Sequence, residues 1–530
     1  MLTPLAVSRE GRTRIGVIPG TRPGVWSQES VMMTVVTSPQ GLDPVQELTI
    51  RMNSCAEREW GQLEPTRRTR MKRRPAKTRA RKTTRKPIAA ESPLTPYDPQ
   101  AAAIDVGATS HWVAVPPEKC DESVREFGVF TAQLYQIAEW LKDCGVKRVA
   151  LESTGVYWIP LFEVLEEKGL EVRLVDARKV KNVSGRKSDL LDCQWLRQLH
   201  SYGLLAGAFR PAQEILPLRA YLRQRQMLVQ YAAKHIQHMQ KALQQMNVRL
   251  DNVVTDITGL TGMRIIKAIL AGERDARKLV EANRHGGCHT SAAVMMQSLV
   301  GNYRAEHLFA LQQAVELYEE YRTRITACET AIEAYLQTLE PVTQEELPEA
   351  LGGGGTKKKA EFGFEVRAEM YKQVGVDLFR VPGFNEETVL RLLAETGRDL
   401  TRWPSEKHFA SWLSVCPGTK KSGGKVLSSR TQPNRNRAAE ALRRAAVSAG
   451  RTETELGAYF RRKRAHKGPA GAVIATAHKM AKLYYVLVKE QKEYEPQSVA
   501  QYEAQQQART VNKLRKQAQA LGYELRAVAG

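Results

Sequence analysis

The sequence predicts a three-part protein: an α/β domain, a region of long paired helices, and a mainly α-helical C-terminal domain. Three observations carry that prediction. Short apolar runs alternate with amphipathic helical stretches between residues 98 and 211. Apolar residues then recur every three or four positions, from 216 to 255 and again from 314 to 339. Beyond a glycine-rich stretch, leucine- and alanine-rich helices follow a VPGF turn.

At 530 residues the chain is long enough for two or three cores. Its net charge is +23, and the excess sits in two places: residues 1–90 hold 18 Lys/Arg against 7 Asp/Glu, and residues 401–480 hold 17 against 4. Such a balance points to an anionic partner, nucleic acid ahead of a membrane surface. Seven cysteines without a repeated CxxC argue against a disulfide framework or a zinc ribbon, and fit a reducing compartment. No apolar run approaches the ~18 residues that cross a bilayer, and no signal-peptide core opens the chain. A soluble, cytoplasmic protein with no membrane partner is expected.

Taken in order, residues 1–92 form a basic leader ending in RRTRMKRRPAKTRARKTTRKP, a proline-broken run expected to stay disordered when free. It reads as a solvated tail, as an upstream extension with Met71 as a later start, or as an arm that grips nucleic acid. The α/β domain spans 98–211. AAAIDVGATSHWVAV gives two strands joined by a tight turn at Gly107, VKRVALEST a buried strand, YWIPLFEVLEEKG a helix closed by glycine, and LEVRLVDA another strand. SDLLDCQWLRQLHSYG follows as a helix capped at Ser188 or Asp189.

Residues 216–340 carry the long helices. One seam runs Val229, Ala232, Ile236, Met239, Leu243, Met246, Leu250, Val253, and the other Ala314, Tyr318, Tyr321, Ile325, Cys328, Ile332, Tyr335, Leu339. Such seams suit a coiled coil, folded back on itself or matched across a dimer. Residues 341–368 read as a flexible linker, because GGGGTKKK lacks both the GK[ST] order and the preceding strand of a phosphate loop. The last domain, 372–492, opens with a helix-hairpin-helix-like element around VPGF, whose turn suits a phosphate. A loop dense in glycine and basic residues follows, then the helix AAEALRRAAVSAG, then a longer helix. Residues 493–530 form a polar tail.

Four acids occupy informative positions: Asp105 at the end of the first strand, Glu152 at the end of a central one, and Asp189 and Asp192 on one helical face. Strand-end acids and a facing helix pair can converge at one edge of a parallel sheet. Hard oxygen ligands there suit Mg²⁺, and two such ions about 4 Å apart stabilise both the attacking and the leaving oxygen in phosphodiester cleavage.

IDVG, LESTGVYW and KSDLLDCQWLRQL resemble the D, E, D, D blocks of the IS110 insertion-sequence transposases, a family that includes the Piv-type DNA invertases. The segment from VPGF to SWLSVCPGTKKSGGK resembles that family's second domain. The resemblance implies a RuvC-like first domain with an RNase H fold, and makes Asp105, Glu152, Asp189 and Asp192 its metal-binding tetrad. It further implies a serine nucleophile that becomes covalently joined to DNA; Ser422 of KSGGK corresponds best, with Ser428 and Ser429 as rivals. Lys420, Lys421 and Lys425 are placed to activate it. Donor and target DNA, a structured guide (bridge) RNA and a homo-oligomer, dimer or tetramer, are the implied partners. Candidate nucleic-acid contacts are Lys187, Lys420, Lys421, Gly423, Gly424, Lys425, Arg430, Arg435, Arg437, Arg461, Arg462, Lys463 and Arg464. Trp403, Trp412, Tyr459 and Phe460 are compatible with base stacking. The expected function is thus that of an insertion-sequence DNA transposase or recombinase. Its rivals are a RuvC-like junction-resolving endonuclease that uses water, and a non-catalytic nucleic-acid-binding scaffold.

Overall fold

The computed structural model describes residues 97–176, 189–349, 361–433 and 436–526, all within the unit Glu91–Gly530. The basic leader, the predicted cap Ser188 and the candidate contacts Lys187 and Arg435 lie outside the described residues.

The α/β domain comprises β1 (Ala101–Val106), β2 (Ser110–Ala114), β3 (Val124–Gly128), α1 (Thr131–Asp143), β4 (Arg148–Glu152), α2 (Trp158–Glu167), β5 (Glu171–Val175) and α3 (Asp189–Ser201). Its sheet has the order β3-β2-β1-β4-β5. The sheet is mixed, as the tight turn expected between the first two strands requires. β1, β4 and β5 run parallel, whereas β2 and β3 pair antiparallel along one side. The reason is connection length, since the short turn at Gly107 can only return the chain antiparallel, and parallel neighbours need a longer crossover. This order fits an RNase H-like domain.

Alternation along the strands divides two cores. Ile104, Val149 and Leu151 pack with Ile137 and Leu141 of α1 and Leu161 and Leu165 of α2. On the other face, Ala103, Ala150 and Val175 pack with Leu196 of α3 and with Leu205. Alanines at the centre of that face let α3 lie close to the sheet. Cys120, ahead of β3, and Cys144, the residue that ends α1, form a disulfide, which corrects the reading of the cysteines as unpaired. The partners stand 24 residues apart, a spacing without any motif; the fold brings them together by laying α1 along the sheet.

The helical region is built on α4 (Leu216–Gln245) and α8 (Ala305–Thr338), which pack antiparallel within the one chain. Tyr221 meets Tyr335, and Tyr231 meets Tyr321. Leu228, Ala232 and Ile325 form the middle of the seam. At the far end α5 (Leu260–Leu270), α6 (Ala276–Asn283) and α7 (Ala292–Ser298) enclose a separate core with Met239, Leu243, Leu311 and Val315.

The C-terminal domain contains α9 (Val366–Val374), α10 (Glu386–Thr396), α11 (Glu406–Trp412), β6 (Lys420–Ser422), β7 (Lys425–Ser428), α12 (Arg437–Ala449), α13 (Glu455–Glu490) and α14 (Val499–Ala520). Its core takes in Ile215 and Leu218 from the root of α4 and Ile332 and Leu336 from α8, together with Phe362 and Phe364 ahead of α9. Gly383 of the VPGF turn has φ +93°, and a side chain there would collide with Ala445 and Ala449 of α12. Glycine is required at that position both for the left-handed backbone and for the close helix. α13 is kinked at Gly468, where φ is 72°, just before Pro469.

Candidate active site

The register of the sheet sets two of the predicted acids side by side. Ala103 pairs with Ala150 and Ile104 with Leu151 in the parallel β1–β4 ladder, so Asp105 and Glu152 come next, on strands about 4.8 Å apart. Strand alternation puts Asp105 on the face of Ala103 and Glu152 on the face of Ala150. That is the face covered by α3.

α3 runs antiparallel to β1. Near its C-terminal end, His200 Nδ1 donates to the Ala102 carbonyl at 3.0 Å, and the Ser201 carbonyl accepts from Asp98 N–H at 2.9 Å. Near its start, the Cys193 thiol donates to the Trp112 carbonyl at 2.9 Å and reaches the Ala103 carbonyl at 3.4 Å. The first turn of α3, with Asp189 and Asp192, therefore lies toward the carboxyl ends of β1 and β4. Burial pushes the Cys193 thiol up to about 12, so it remains a protonated donor that fastens the helix to the two strands.

Glu152 is buried, Asp105 half-buried, and Asp189 and Asp192 exposed. The Glu152 carboxylate accepts from Thr154 Oγ1 at 3.1 Å. Asp105 and Glu152 thus share the face that α3 covers, with the first turn of α3 toward the same strand ends; among the described residues no group of three His, Cys, Asp or Glu side chains closes tightly enough to hold a metal ion. The chemistry of the donors suits a hard divalent cation. Thr154, Cys193 and His200 escaped the sequence reading. The only signals for the first two were adjacency, Thr154 in LEST and Cys193 directly after Asp192.

Ser422 stands elsewhere, at the end of β6. It pairs with Lys425 across Gly423 and Gly424, whose φ values of 52° and 76° belong to a two-residue hairpin turn with both central residues left-handed. What reads as a loop in the sequence is therefore a small hairpin, closed below by Gly418 N–H donating to the Arg430 carbonyl at 3.1 Å. Lys420, Lys421, Ser422, Lys425 and Arg430 are all exposed. Ser428 Oγ accepts from Arg430 N–H at 3.2 Å, while Ser429 is exposed. The hairpin belongs to the C-terminal domain and the four acids to the α/β domain.

The remaining predicted contacts divide by environment. Arg464 is exposed. Arg437 is half-buried and donates to Gln226 of α4 at 3.3 Å, and burial holds its pKa below the usual arginine range. Arg461 is engaged with the Thr452 carbonyl and Glu453. Arg462 donates to Gln506 of α14 and lies over the Tyr459 and Tyr502 rings, and Lys463 also lies over Tyr459. Stacking by Trp403, Trp412 and Phe460 is corrected. Trp403 and Phe460 are buried, and Trp403 and Trp412 pack against Phe209, 4.8 and 5.2 Å between ring centroids, so these rings serve the core.

Two family models match the chain. One, described as a transposase of the DEDD IS110 type, covers residues 102–248; the other, described as the transposase IS116/IS110/IS902 family, covers residues 377–461. The chain belongs to the IS110 family of transposases. As such it is a DNA transposase/recombinase, and its DEDD type implies dependence on a divalent metal. Asp105, Glu152, Asp189 and Asp192 fall inside the first matched stretch of this IS110-family enzyme, and Ser422 inside the second. The tip of the helical region and the returning α8 fall between the two. No curated protein matches the chain. Among the described residues no helix is long and apolar enough to cross a membrane.

Proposed function

We propose that this transposase cuts and rejoins insertion-sequence DNA through a covalent bond to Ser422, with Asp105, Glu152, Asp189 and Asp192 holding Mg²⁺. One observation carries the reading: the β1–β4 register sets Asp105 and Glu152 side by side under the helix whose first turn bears Asp189 and Asp192. The chemistry such an ion supplies when bound is neutralisation of charge on the phosphate oxygens. Ser422 Oγ attacks phosphorus, the Oγ–P bond forms as the P–O bond to one deoxyribose breaks, the serine proton leaves, and the freed sugar oxygen gains one. Lys420, Lys421 and Lys425 draw the phosphate to the serine and favour the alkoxide. Reversal onto a second DNA end completes strand exchange. A structured RNA pairs with donor and target, and copies of the chain act together as a dimer or tetramer; the basic segments and the exposed hairpin support this part.

The test is incubation of the purified chain, with its co-purifying RNA, element-end DNA and Mg²⁺. A covalent protein–DNA adduct is expected with the native chain and none with Ser422→Ala. Because Ser422 stands on an exposed hairpin of the C-terminal domain while the acids lie in the α/β domain, a second reading is put to the same assay: hydrolysis by water at the acids alone. Cleavage without an adduct, undiminished in Ser422→Ala, would establish that reading and overturn the first.

A further inference from the structure

The turn that follows Glu152 displays two apolar side chains to solvent beside the acids. Val156 is 68% exposed and Tyr157 49%. The turn is held at both ends, so this display is built rather than loose. Ser153 donates to the Val175 carbonyl through both its N–H and its Oγ, each at 2.9 Å, and Thr154 ties back to the Glu152 carboxylate. On the far side Trp158 meets Phe162 edge-on, 5.7 Å between centroids, against the α1–α2 core. Gly155, with φ +56°, lies next to the Tyr157 ring, where an added side chain would crowd it. Among the described residues no hydrogen bond, ion pair or ring contact engages the Tyr157 side chain, so packing against them does not explain its position. Base–aromatic stacking does, since every base offers a face to such a ring.

We infer that Tyr157, backed by Val156, is a stacking platform for the nucleobase next to the phosphate that is cut. It holds the DNA strand so that the phosphate lies at the carboxylates. Tyr157 is a positioning residue; its ring acts, and its hydroxyl does not. The inference rests on the reading of the four acids as the cleavage site.

The experiment uses the full chain with its RNA, carrying Ser422→Ala so that the reaction stops at binding, and element-end DNA with 2-aminopurine beside the cleavage position. Binding should quench the fluorescence with Tyr157 present. Tyr157→Phe should quench equally, whereas Tyr157→Ala should lose the quench and bind roughly tenfold more weakly. Tyr157 is half exposed, so the alanine variant should melt at the native temperature. Undiminished quenching in Tyr157→Ala, or loss in Tyr157→Phe as large as in alanine, overturns the platform. Adduct formation by the native chain is scored separately. An adduct with Tyr157-independent quenching sinks the platform alone, while Tyr157-dependent quenching without an adduct sinks the serine mechanism and leaves the platform standing.

Discussion

Arg225 and Glu329 form an ion pair at 2.7 Å between α4 and α8, with side chains only 8% and 9% exposed. Around it, Arg225 donates to the Glu361 carbonyl at 2.9 Å and lies 3.7 Å over the Phe362 ring, while Glu329 accepts from Gly363 N–H at 3.2 Å. This cluster fastens the entrance of the C-terminal domain to the long helices. Arg225→Ala would leave a buried carboxylate with Gly363 as its remaining donor, and an unpaired Glu361 carbonyl. Breaking such a pair by removing one partner costs about 3–5 kcal/mol, which corresponds to roughly two to three and a half orders of magnitude in local opening. Hydrogen exchange read by mass spectrometry on peptides covering 226–232 and 361–366 should show that loss of protection. Arg225→Met combined with Glu329→Leu removes both charges and should recover most of it, short of the cation–π contribution of about 1 kcal/mol. Exchange in Arg225→Ala within tenfold of the native chain, or a double variant no better than the single, would refute the reasoning.

Thr154→Val should slow adduct formation about fivefold, from a lost hydrogen bond worth roughly 1 kcal/mol, with DNA affinity unchanged in a filter-binding assay. Replacing both Cys120 and Cys144 by alanine should destabilise the α/β domain by about 3 kcal/mol; in thermal denaturation, the native chain treated with reductant should match the double variant. Burial depresses the pKa of both His111 and His200 from 6.5. A folded-state value below the unfolded one means the fold favours the neutral ring, so their contribution is fully present above about pH 6.5 and is lost as pH falls through the folded-state values. The melting temperature should accordingly drop between pH 7 and 5, and His111→Leu with His200→Gln should flatten that limb.

Much of the fold was legible where burial imprints a period on the sequence. β1, β2, β4 and β5 are marked by apolar runs between turn residues, and α3 by its spacing. β3, VREFG, was not, because an edge strand with exposed Arg125 and Glu126 carries no apolar alternation. Strand direction was legible at Gly107, where a short turn dictates an antiparallel neighbour; elsewhere periodicity records which face is buried but not which way a neighbour runs. In the helical region the period was right, yet Leu228 is buried where the seam had Val229, which is 39% exposed. Adjacent apolar residues leave the phase of a helix open. KKSGGKV held a readable hairpin signal, two glycines between strand-like flanks, that its basic composition masked. Of the candidate site, the acids were visible as residue types at telling positions. Thr154, Cys193 and His200 were not, since they act on a carboxylate or on backbone carbonyls far away in sequence, and no spacing encodes that.

The 30 residues of α4 give it a length of about 45 Å, and only its near end is embedded in the C-terminal core. Its far end carries the small cluster around α5, α6 and α7 as a load on a stiff arm. A tilt of about 10° at the root would swing that load by roughly 8 Å. Whatever docks at the extremity can therefore tug on the Arg225 clasp from a distance. Matched insertions of whole turns in α4 and α8 would lengthen the reach of the enzyme without touching its chemistry.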